Sequence, residues 1–269
     1  MSSSVNAALL DSIIALAREA GERIMEVYNA DITVTHKEDR SPLTQADLAA
    51  HGAIVAGLAR LTPDIPVLSE EGADTPYATR SGWNRYWIVD PLDGTKEFIK
   101  RNDEFTVNIA LVEHHEPVLG VVYAPALDVT YAGARGLGAL RERNGQREKI
   151  TTRRCADTPY FVVSRSHRDE ALEALLAKLP AHEAVSTGSS LKFCLVATGE
   201  ADLYPRTGPT SEWDTAAGQC VAECAGAEVL KLPELTPLRY NEKESLLNPG
   251  FVVIGDRSRG WREQMLAAG

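Results

Sequence analysis

The stretch WIVDPLDGTKEF, residues 87–98, changes character abruptly where an apolar strand pattern meets two aspartates. Asp90 and Asp93 are three residues apart, and Pro91 stiffens the chain between them because proline fixes its own φ and has no N–H. Gly94 then allows the backbone to turn tightly. Two carboxylates held this close have raised pKa values unless a cation offsets their repulsion. The stretch therefore predicts a divalent-cation site where the strand ends.

The residues around this turn favour Mg²⁺ and phosphate as the two ligands. Hard cations take oxygen ligands from carboxylates and backbone carbonyls, so the Leu92 carbonyl between the two acids is a candidate ligand. Thr95 and Lys96 are expected to open a helix, and the free N–H groups at a helix start suit a phosphate group. Together these features predict metal-assisted phosphoryl chemistry. An isolated D-x-x-D also occurs in surface turns, so this pattern alone leaves a capping role open.

Other acids are predicted near the ends of other elements. Glu70 and Glu71 follow the short strand VLS, and Asp214 lies where a helix is expected to start. Asp47 is expected in the first turn of the second helix, where Thr44 and Asp47 resemble a capping box with Asp in place of Glu. Singly, the two glutamates would most often be solvated loop charges, and Asp214 a helix-capping residue. Their occurrence in one ordered set favours a common site.

Composition and charge restrict the class of protein. The 269 residues are 44% hydrophobic and 25% charged, which is typical of a soluble globular protein with one large or two modest domains. A formal net charge of −10 argues against a nucleic-acid polymer as partner, but it allows a small anionic substrate bound through metal ions. No apolar run approaches the ~18–20 residues of a transmembrane helix.

The N-terminal pattern predicts an amphipathic helix rather than a secretory signal. A cytoplasmic location is therefore expected, while peripheral contact with the inner membrane and a homodimer are left open. The cysteines Cys155, Cys194, Cys220 and Cys224 have no zinc-site spacing and are predicted to be buried reduced thiols.

Hydrophobic periodicity divides the chain into two parts, 1–155 and 156–269. The first part is predicted to hold a helix over 5–28, a helix from about residue 44, and the strands VLS, YWIVD, FTVNIALV, PVLGVVYAP and DVTYAGARG. HHEP and Asn144-Gly145 are predicted hairpin turns. The second part alternates between the strands FVVSRS, ADLYPR, AEVLKL and FVVIG and helices near 169–179, in GSSLKFCLVATG and in TSEWDTAAGQCVAECAG. This order predicts a mixed α/β fold, α/β in its second half, without an internal repeat.

The ordered motifs resemble those of a known family. SEEG, WIVDPLDGTKEF and WDTAAG, with Asp47 in SPLTQAD, resemble the inositol monophosphatase superfamily of lithium-sensitive, Mg²⁺-dependent phosphatases. DGTKEF, GSSLKF and LYPR are more similar to its bacterial 3′(2′),5′-bisphosphate nucleotidases. The likeness runs from the first helix to SLLNPGFVV, with no departure at a metal-ligand position. It implies a five-layered αβαβα sandwich with the site between the two halves.

The resemblance also implies roles for individual residues. Two or three Mg²⁺ ions would be held by Glu70, Asp90, the Leu92 carbonyl, Asp93 and Asp214. Asp47 and Thr95 would orient and activate the attacking water, with Glu71 behind the ligands. The implied substrate contacts are Glu70, Leu92, Asp93, Gly94, Thr95, His167, Ser189, Lys192, Arg206 and Asp214. Lys192 and Arg206 suit a second phosphate because they are cationic, and Lys96 is left open between a specificity residue and a first-turn helix residue.

The expected activity is hydrolysis of the 3′-phosphate of adenosine 3′,5′-bisphosphate (PAP) to AMP and phosphate, in sulfur metabolism. The sulfated form, adenosine 3′-phosphate 5′-phosphosulfate (PAPS), is a further candidate substrate. One alternative is a phosphatase for inositol monophosphate or another sugar phosphate, which would share the metal cluster. Another is a phosphonucleotide-binding protein without turnover, against which the intact acid set and Thr95 argue.

Overall fold

Five layers of helix and sheet alternate in the computed structural model, which describes residues 5–30, 42–164 and 170–268. The helices are α1 (Ala7–Tyr28), α2 (Pro42–Leu61), α3 (Tyr77–Arg80), α4 (Thr95–Lys100), α5 (Glu170–Lys178), α6 (Leu191–Ala197), α7 (Glu212–Cys224) and α8 (Trp261–Ala268). Short 3₁₀ turns cover Glu70–Gly72 and Pro125–Leu127. Within the described ranges, no helix is both long and apolar enough to cross a membrane.

Thirteen strands of the described chain form two sheets. The first sheet holds β1 (Val67–Ser69), β2 (Arg85–Asp93), β3 (Thr106–Glu113), β4 (Glu116–Ala124), β5 (Val129–Ala134), β6 (Gly138–Arg143) and β7 (Gln146–Ile150). Its strands lie side by side in chain order, with only β1 and β2 parallel. The second sheet holds β8 (Tyr160–Ser164), β9 (Glu183–Thr187), β10 (Leu203–Arg206), β11 (Glu228–Lys231), β12 (Thr236–Pro237) and β13 (Phe251–Ile254), in the order β12-β11-β13-β10-β8-β9.

The helices α1 and α2 form the first outer layer on the seven-stranded sheet. Along β2, Trp87 and Val89 pack in the core under these helices, whereas Tyr86 and Ile88 belong to the core on the opposite face. This period-2 alternation is what a sheet covered on both faces requires. The helix α2 begins at Pro42, within two residues of the start that was predicted near Thr44.

Proline is favoured as the first residue of a helix, and this explains the earlier start of α2. Asp47 is consequently the sixth residue of the helix and lies outside its first turn, which contains no acid. The predicted capping box of Thr44 and Asp47 and the predicted first-turn position of Asp47 are therefore wrong. Asp47 is buried in the second turn instead.

The helices α6 and α7 form the middle layer between the two sheets. Ile88 and Val122 of the first sheet share one buried core with Phe193 of α6, Val221 of α7 and Val253 of β13. The helix α7 approaches the first sheet very closely at Gly120, where an added Cβ would lie 2.5 Å from the carbonyl oxygen of Ala217. This close approach sets the distance between α7 and the first sheet.

The far face of the second sheet is covered by α5 and α8. Phe161 of β8, Leu176 of α5 and Trp261 of α8 belong to this third buried core. The predicted five-layered αβαβα sandwich is thus confirmed, as are the hairpin turns at HHEP and Asn144-Gly145, which connect consecutive antiparallel strands. All four cysteines are free, as predicted, although Cys155 and Cys224 are only partly buried.

Candidate active site

The predicted strand end at β2 carries an irregularity that separates its two aspartates. Asp90 pairs with Asn108 and Asp93 with Thr106, so three steps along β2 match two steps along β3. The Asp90 side chain is buried, and its Oδ1 accepts a hydrogen bond from the Leu92 N–H at 3.0 Å. Gly94 follows in the left-handed region, at φ 91°, and α4 begins at the next residue. The predicted turn into a helix is therefore confirmed.

The structure brings the predicted acids close enough to influence one another. Burial raises the pKa of Asp90 well above its usual range, and four neighbouring carboxylates raise it further, those of Asp93, Glu70, Asp214 and Asp47. These residues come from β2, the turn after β1, α7 and α2, four separate elements. The ordered set that the sequence suggested is therefore one cluster in space.

Two carboxyl–carboxyl contacts show how crowded this cluster is. The Glu70 and Asp90 carboxyl groups share a hydrogen bond, and burial raises the pKa of Glu70. Asp47 shares a hydrogen bond with Glu71, and burial followed by the Glu71 charge raises the pKa of Asp47 to about 8. Asp47 Oδ1 is buried and has no hydrogen-bond partner in the part of the chain that the structure describes. Such contacts need a shared proton, which a cation could replace.

Asp214 forms a capping hydrogen bond at the start of α7 and also belongs to the acidic cluster. It is the third residue of α7, where its Oδ2 accepts a hydrogen bond from the Ser211 N–H at 2.8 Å and completes a capping box. Burial and the Asp93 charge raise the pKa of Asp214 to about 7. The capping role and the position near the other acids, which the sequence left as alternatives, thus belong to the same carboxylate.

The donor set fits Mg²⁺ in its chemistry, because it consists of oxygen donors that are crowded, largely buried and mutually repulsive. As the side chains stand, no three His, Cys, Asp or Glu residues in the described part of the chain converge on one point as metal ligands do. The hydrogen bond between Glu70 and Asp90 turns those two groups towards each other instead. Among the described residues, Asp47 Oδ1 has no hydrogen-bond partner, which agrees with a cluster that would accept a cation.

A cavity of about 240 Å³ opens beside these acids, between the start of α4 and the second half of the chain. Seven of the predicted site residues line it: Asp93, Gly94, Thr95, Ser189, Lys192, Arg206 and Asp214. Glu70 and Leu92, which were also predicted substrate contacts, do not line it. Lys96 does line it from the first turn of α4, so both of its predicted roles remain compatible with its position. The predicted contact His167 lies outside the described residues.

Two buried cations from the second half line this cavity. The Lys192 ammonium group donates a hydrogen bond to the Ser189 carbonyl at 2.6 Å, and burial lowers its pKa to about 8. The Arg206 guanidinium donates to the carbonyls of Gly208 and Pro209, each at 3.1 Å. Both side chains are only 7% exposed. Cations held this way are suited to an anionic group that enters the cavity.

Several residues of this site were not predicted from the sequence. Ser190 and Tyr204 line the cavity, and Asn108 lies directly behind Ser190. Ser190 stands next to the predicted Ser189, and Tyr204 lies in the LYPR motif, but nothing in a single sequence separates a buried site hydroxyl from a core one. Asn108, in the middle of an apolar strand, was a visible polar exception.

Comparison with known proteins decides the family. The family model described as the inositol monophosphatase family matches residues 6–261. The chain belongs to the inositol monophosphatase family.

Relatives within the family are similar to this chain over nearly its whole length. The 3′(2′),5′-bisphosphate nucleotidase CysQ of Escherichia coli strain K12 is 56% identical over 248 residues, which cover 91% of this chain and 99% of that protein. The CysQ nucleotidase of Haemophilus influenzae is 38% identical over 263 residues, with 96% and 97% coverage.

Solved structures of the family share the fold. CysQ from Bacteroides thetaiotaomicron, a bacterial member of the family, superposes with a TM-score of 0.85 at 46% identity and covers 93% of this chain and 98% of its own. An inositol monophosphatase from Zymomonas mobilis gives a TM-score of 0.80 at 27% identity, with 98% of each chain covered. The five-layered arrangement is therefore that of the family.

Proposed function

We propose that this chain is a Mg²⁺-dependent 3′(2′),5′-bisphosphate nucleotidase that hydrolyses the 3′-phosphate of PAP to AMP and phosphate. One observation carries the proposal: a single cavity is lined both by Asp93 and Asp214 of the acidic cluster and by two buried cations. The acids suit metal-assisted phosphoryl transfer, and the cations suit a second phosphate on the same substrate. The similarity to proteins named as bisphosphate nucleotidases supports the same activity.

The residues that would hold two or three Mg²⁺ ions are Glu70, Asp90, Leu92 through its carbonyl, Asp93 and Asp214. When bound, Mg²⁺ neutralises phosphate oxygens, lowers the pKa of water and stabilises a leaving oxygen. Li⁺ carries half the charge, and competition by lithium for these positions is therefore expected to inhibit turnover.

Thr95 and Asp47 are proposed to direct the attacking water. Thr95 is exposed at the cavity as the first residue of α4, where its hydroxyl can accept a hydrogen bond from that water and aim it at phosphorus. Asp47 belongs to the acidic cluster, and its buried Oδ1 has no hydrogen-bond partner among the described residues. Cations bound among the acids would lower its raised pKa, so the Asp47 carboxylate could then accept the proton that the water loses. The bond from phosphorus to the ribose 3′ oxygen breaks as the new bond to the water oxygen forms, and the leaving oxygen takes a proton from solvent.

Lys192 and Arg206 are proposed to bind the phosphate that is not cleaved. An inositol monophosphate has no second phosphate, so these buried cations would gain nothing from it and would distinguish the two substrates. PAPS keeps an anionic 5′ group and is proposed as a second substrate for the same reason. The homodimer and the cytoplasmic location remain predictions from the sequence.

The decisive experiment is phosphate release at saturating Mg²⁺ from PAP and from inositol 1-phosphate, each with and without EDTA. An EDTA-sensitive preference for PAP is expected. Preference for inositol 1-phosphate would keep the metal cluster but overturn the roles of Lys192 and Arg206. Absence of turnover with either substrate would favour a binding protein without catalysis.

A further inference from the structure

Ser190 joins two acids of the cluster that come from different parts of the fold. Its side chain is 2% exposed, immediately before α6. Its Oγ lies 3.0 Å from Asp93 Oδ2, at the end of β2, and 2.8 Å from the backbone oxygen of Asp214, in the first turn of α7. One oxygen atom therefore spans the contact between the first sheet and the middle helical layer.

Asn108 restricts the acceptors to which the Ser190 hydroxyl can donate. The fully buried Asn108 donates from Nδ2 to Ser190 Oγ at 3.0 Å, and its Oδ1 accepts from the Thr106 hydroxyl at 3.3 Å. With one lone pair of Oγ occupied, the single hydroxyl proton is directed either to Asp93 or to the carbonyl of Asp214. Both acceptors belong to residues of the acidic cluster.

The chain around Ser190 is held firmly in place. Gly188 donates its N–H to Glu104 Oε2 at 2.8 Å, and a Cβ on Gly188 would lie 2.6 Å from Glu97 Cγ. Ser189 adopts a left-handed backbone, at φ 52°, and hydrogen-bonds to the Thr106 hydroxyl. A non-glycine residue in that region persists when its surroundings over-determine it. The hydroxyl of Ser190 is thus fixed relative to the cluster.

We propose that Ser190, oriented by Asn108, is a positioning residue that holds the Asp93 carboxylate and the start of α7 in register for Mg²⁺ binding. The inference rests on the proposed function. A hydroxyl needed only to satisfy the middle layer would require one acceptor, and the Asp214 carbonyl at 2.8 Å already provides it. The second acceptor is a carboxylate, and partners that orient metal ligands typically contribute about 10–100-fold to metal affinity or activity.

The test is calorimetric titration of Mg²⁺ into substrate-free protein, comparing wild type with Ser190→Ala. We expect Mg²⁺ affinity to fall by about 10-fold or more. Thr62→Val is the matched control, because the buried Thr62 hydroxyl also accepts from an N–H, that of the Trp87 indole, and donates to a carbonyl, that of Leu58, and neither partner belongs to the acidic cluster. The control should lose thermal stability but keep the wild-type Mg²⁺ affinity.

The Asn108→Ala variant tests the orienting step. Because Asn108 is inferred to act through Ser190, the double variant should lose no more Mg²⁺ affinity than Ser190→Ala alone, whereas independent effects would multiply. Ser190→Cys, with a weak donor of similar size, replaces Ser190→Ala should the latter fail to fold.

Wild-type Mg²⁺ affinity in the Ser190 variants would overturn the inference, as would an equal loss in Thr62→Val. Failure of the proposed function looks different. In that case wild-type protein would not release phosphate from PAP, while the difference in Mg²⁺ affinity between wild type and Ser190→Ala would persist.

Discussion

Asp93 takes part in three kinds of interaction in the site. Its carboxylate accepts from Ser190, raises the pKa of Asp90 and Asp214, and lines the cavity. Asp93→Asn keeps the shape but removes the charge, so we expect turnover of PAP to fall by more than the ~100-fold upper value for residues that only support ligands. Circular dichroism and the melting temperature should be unchanged or slightly raised, because one repulsive charge is gone.

Asp128→Asn serves as the control for that variant. Asp128 lies directly before β5 of the same sheet and does not line the cavity, and its carboxylate accepts a hydrogen bond from the Tyr123 hydroxyl at 3.4 Å. The control should retain wild-type kcat and Mg²⁺ dependence. Substantial turnover by Asp93→Asn would remove Asp93 from the proposed ligands.

The lowered pKa of Lys192 predicts that activity falls as pH rises. Activity that depends on an ionised carboxylate changes in the opposite direction. Burial lowers the pKa of Lys192 to about 8, so the ammonium form exists below that pH and is lost as pH rises through it. We expect kcat/KM for PAP, which reports the free enzyme, to decline above about pH 8. Lys192→Arg keeps the charge throughout and should abolish this decline.

Truncation of the same side chain tests its substrate role. Lys192→Ala removes a charge-assisted contact worth about 1.5–3 kcal/mol, so KM for PAP should rise by about 10–100-fold. KM for adenosine 3′-monophosphate, which lacks the second phosphate, should change far less. An equal loss on both substrates would show that Lys192 does not read the second phosphate.

At the scale of single residues, the sequence revealed the acids because each stands at a recognisable strand end or helix start. Asp90, Asp93 and Asp214 could be grouped before the fold was known. Ser190 and Asn108 could not, because their importance lies in contacts between residues 82 positions apart in the chain. A hydroxyl or amide becomes a site residue only through such tertiary contacts.

The elements were predicted best where burial is strongest. The strands β2 to β5 have continuous or alternating apolar patterns and were recognised. By contrast, β6, β7 and β9 are polar and at most partly buried, and they were not named as strands, although the hairpin turn between β6 and β7 was predicted. Thr44 and Asp47 have the spacing of a capping box, but both lie inside α2, which begins at Pro42. Exposed elements depend on neighbours that the local sequence does not show.

The packing of α7 on the first sheet gives a prediction at the scale of elements. In Gly120→Ala, the new Cβ would lie 2.5 Å from the Ala217 carbonyl and 2.7 Å from Cys220 Cβ, so helix and sheet must separate. We expect a loss of about 1–3 kcal/mol in unfolding free energy, as for other overpacked cores. Because α7 carries Asp214, the half-saturating Mg²⁺ concentration should rise as well.

Gly52→Ala is the matched control for this substitution. Gly52 lies inside α2, and a Cβ added there would meet no atom of the described residues within 4 Å apart from its own helix backbone, so alanine should stabilise the protein by about 0.5–1 kcal/mol. Urea titrations measure whether the unfolding free energy falls in Gly120→Ala and rises in Gly52→Ala. Equal unfolding free energies of Gly120→Ala and wild type would show that α7 can move away from the sheet without loss of stability.

At the scale of the molecule, Mg²⁺ should act as a stabilising ligand as well as a cofactor. The acids come from both parts of the chain and raise one another's pKa values, so a cation bound among them favours the folded state alone. Linkage predicts about 2.7 kcal/mol of stabilisation at a hundred times Kd. The melting temperature should rise with Mg²⁺ and fall with EDTA in wild type, and respond much less in Asp93→Asn.

The division into 1–155 and 156–269 has a physical consequence that fragments can test. One face of the first sheet, including Ile88, Val112 and Val122, is covered by α6 and α7, which belong entirely to the second part. Fragment 1–155 alone would expose this face, and we expect it to aggregate or to lack a sharp thermal transition.

Co-expression with fragment 156–269 should restore a single cooperative transition, measured by calorimetry and size-exclusion chromatography against the intact chain. The middle layer would then again be packed between both sheets, as Phe193 and Val221 are in the whole protein. A monomeric 1–155 fragment with its own sharp transition would show that the first part folds independently. In that case the second part would serve to bring Asp214, Lys192 and Arg206 to an already folded first part.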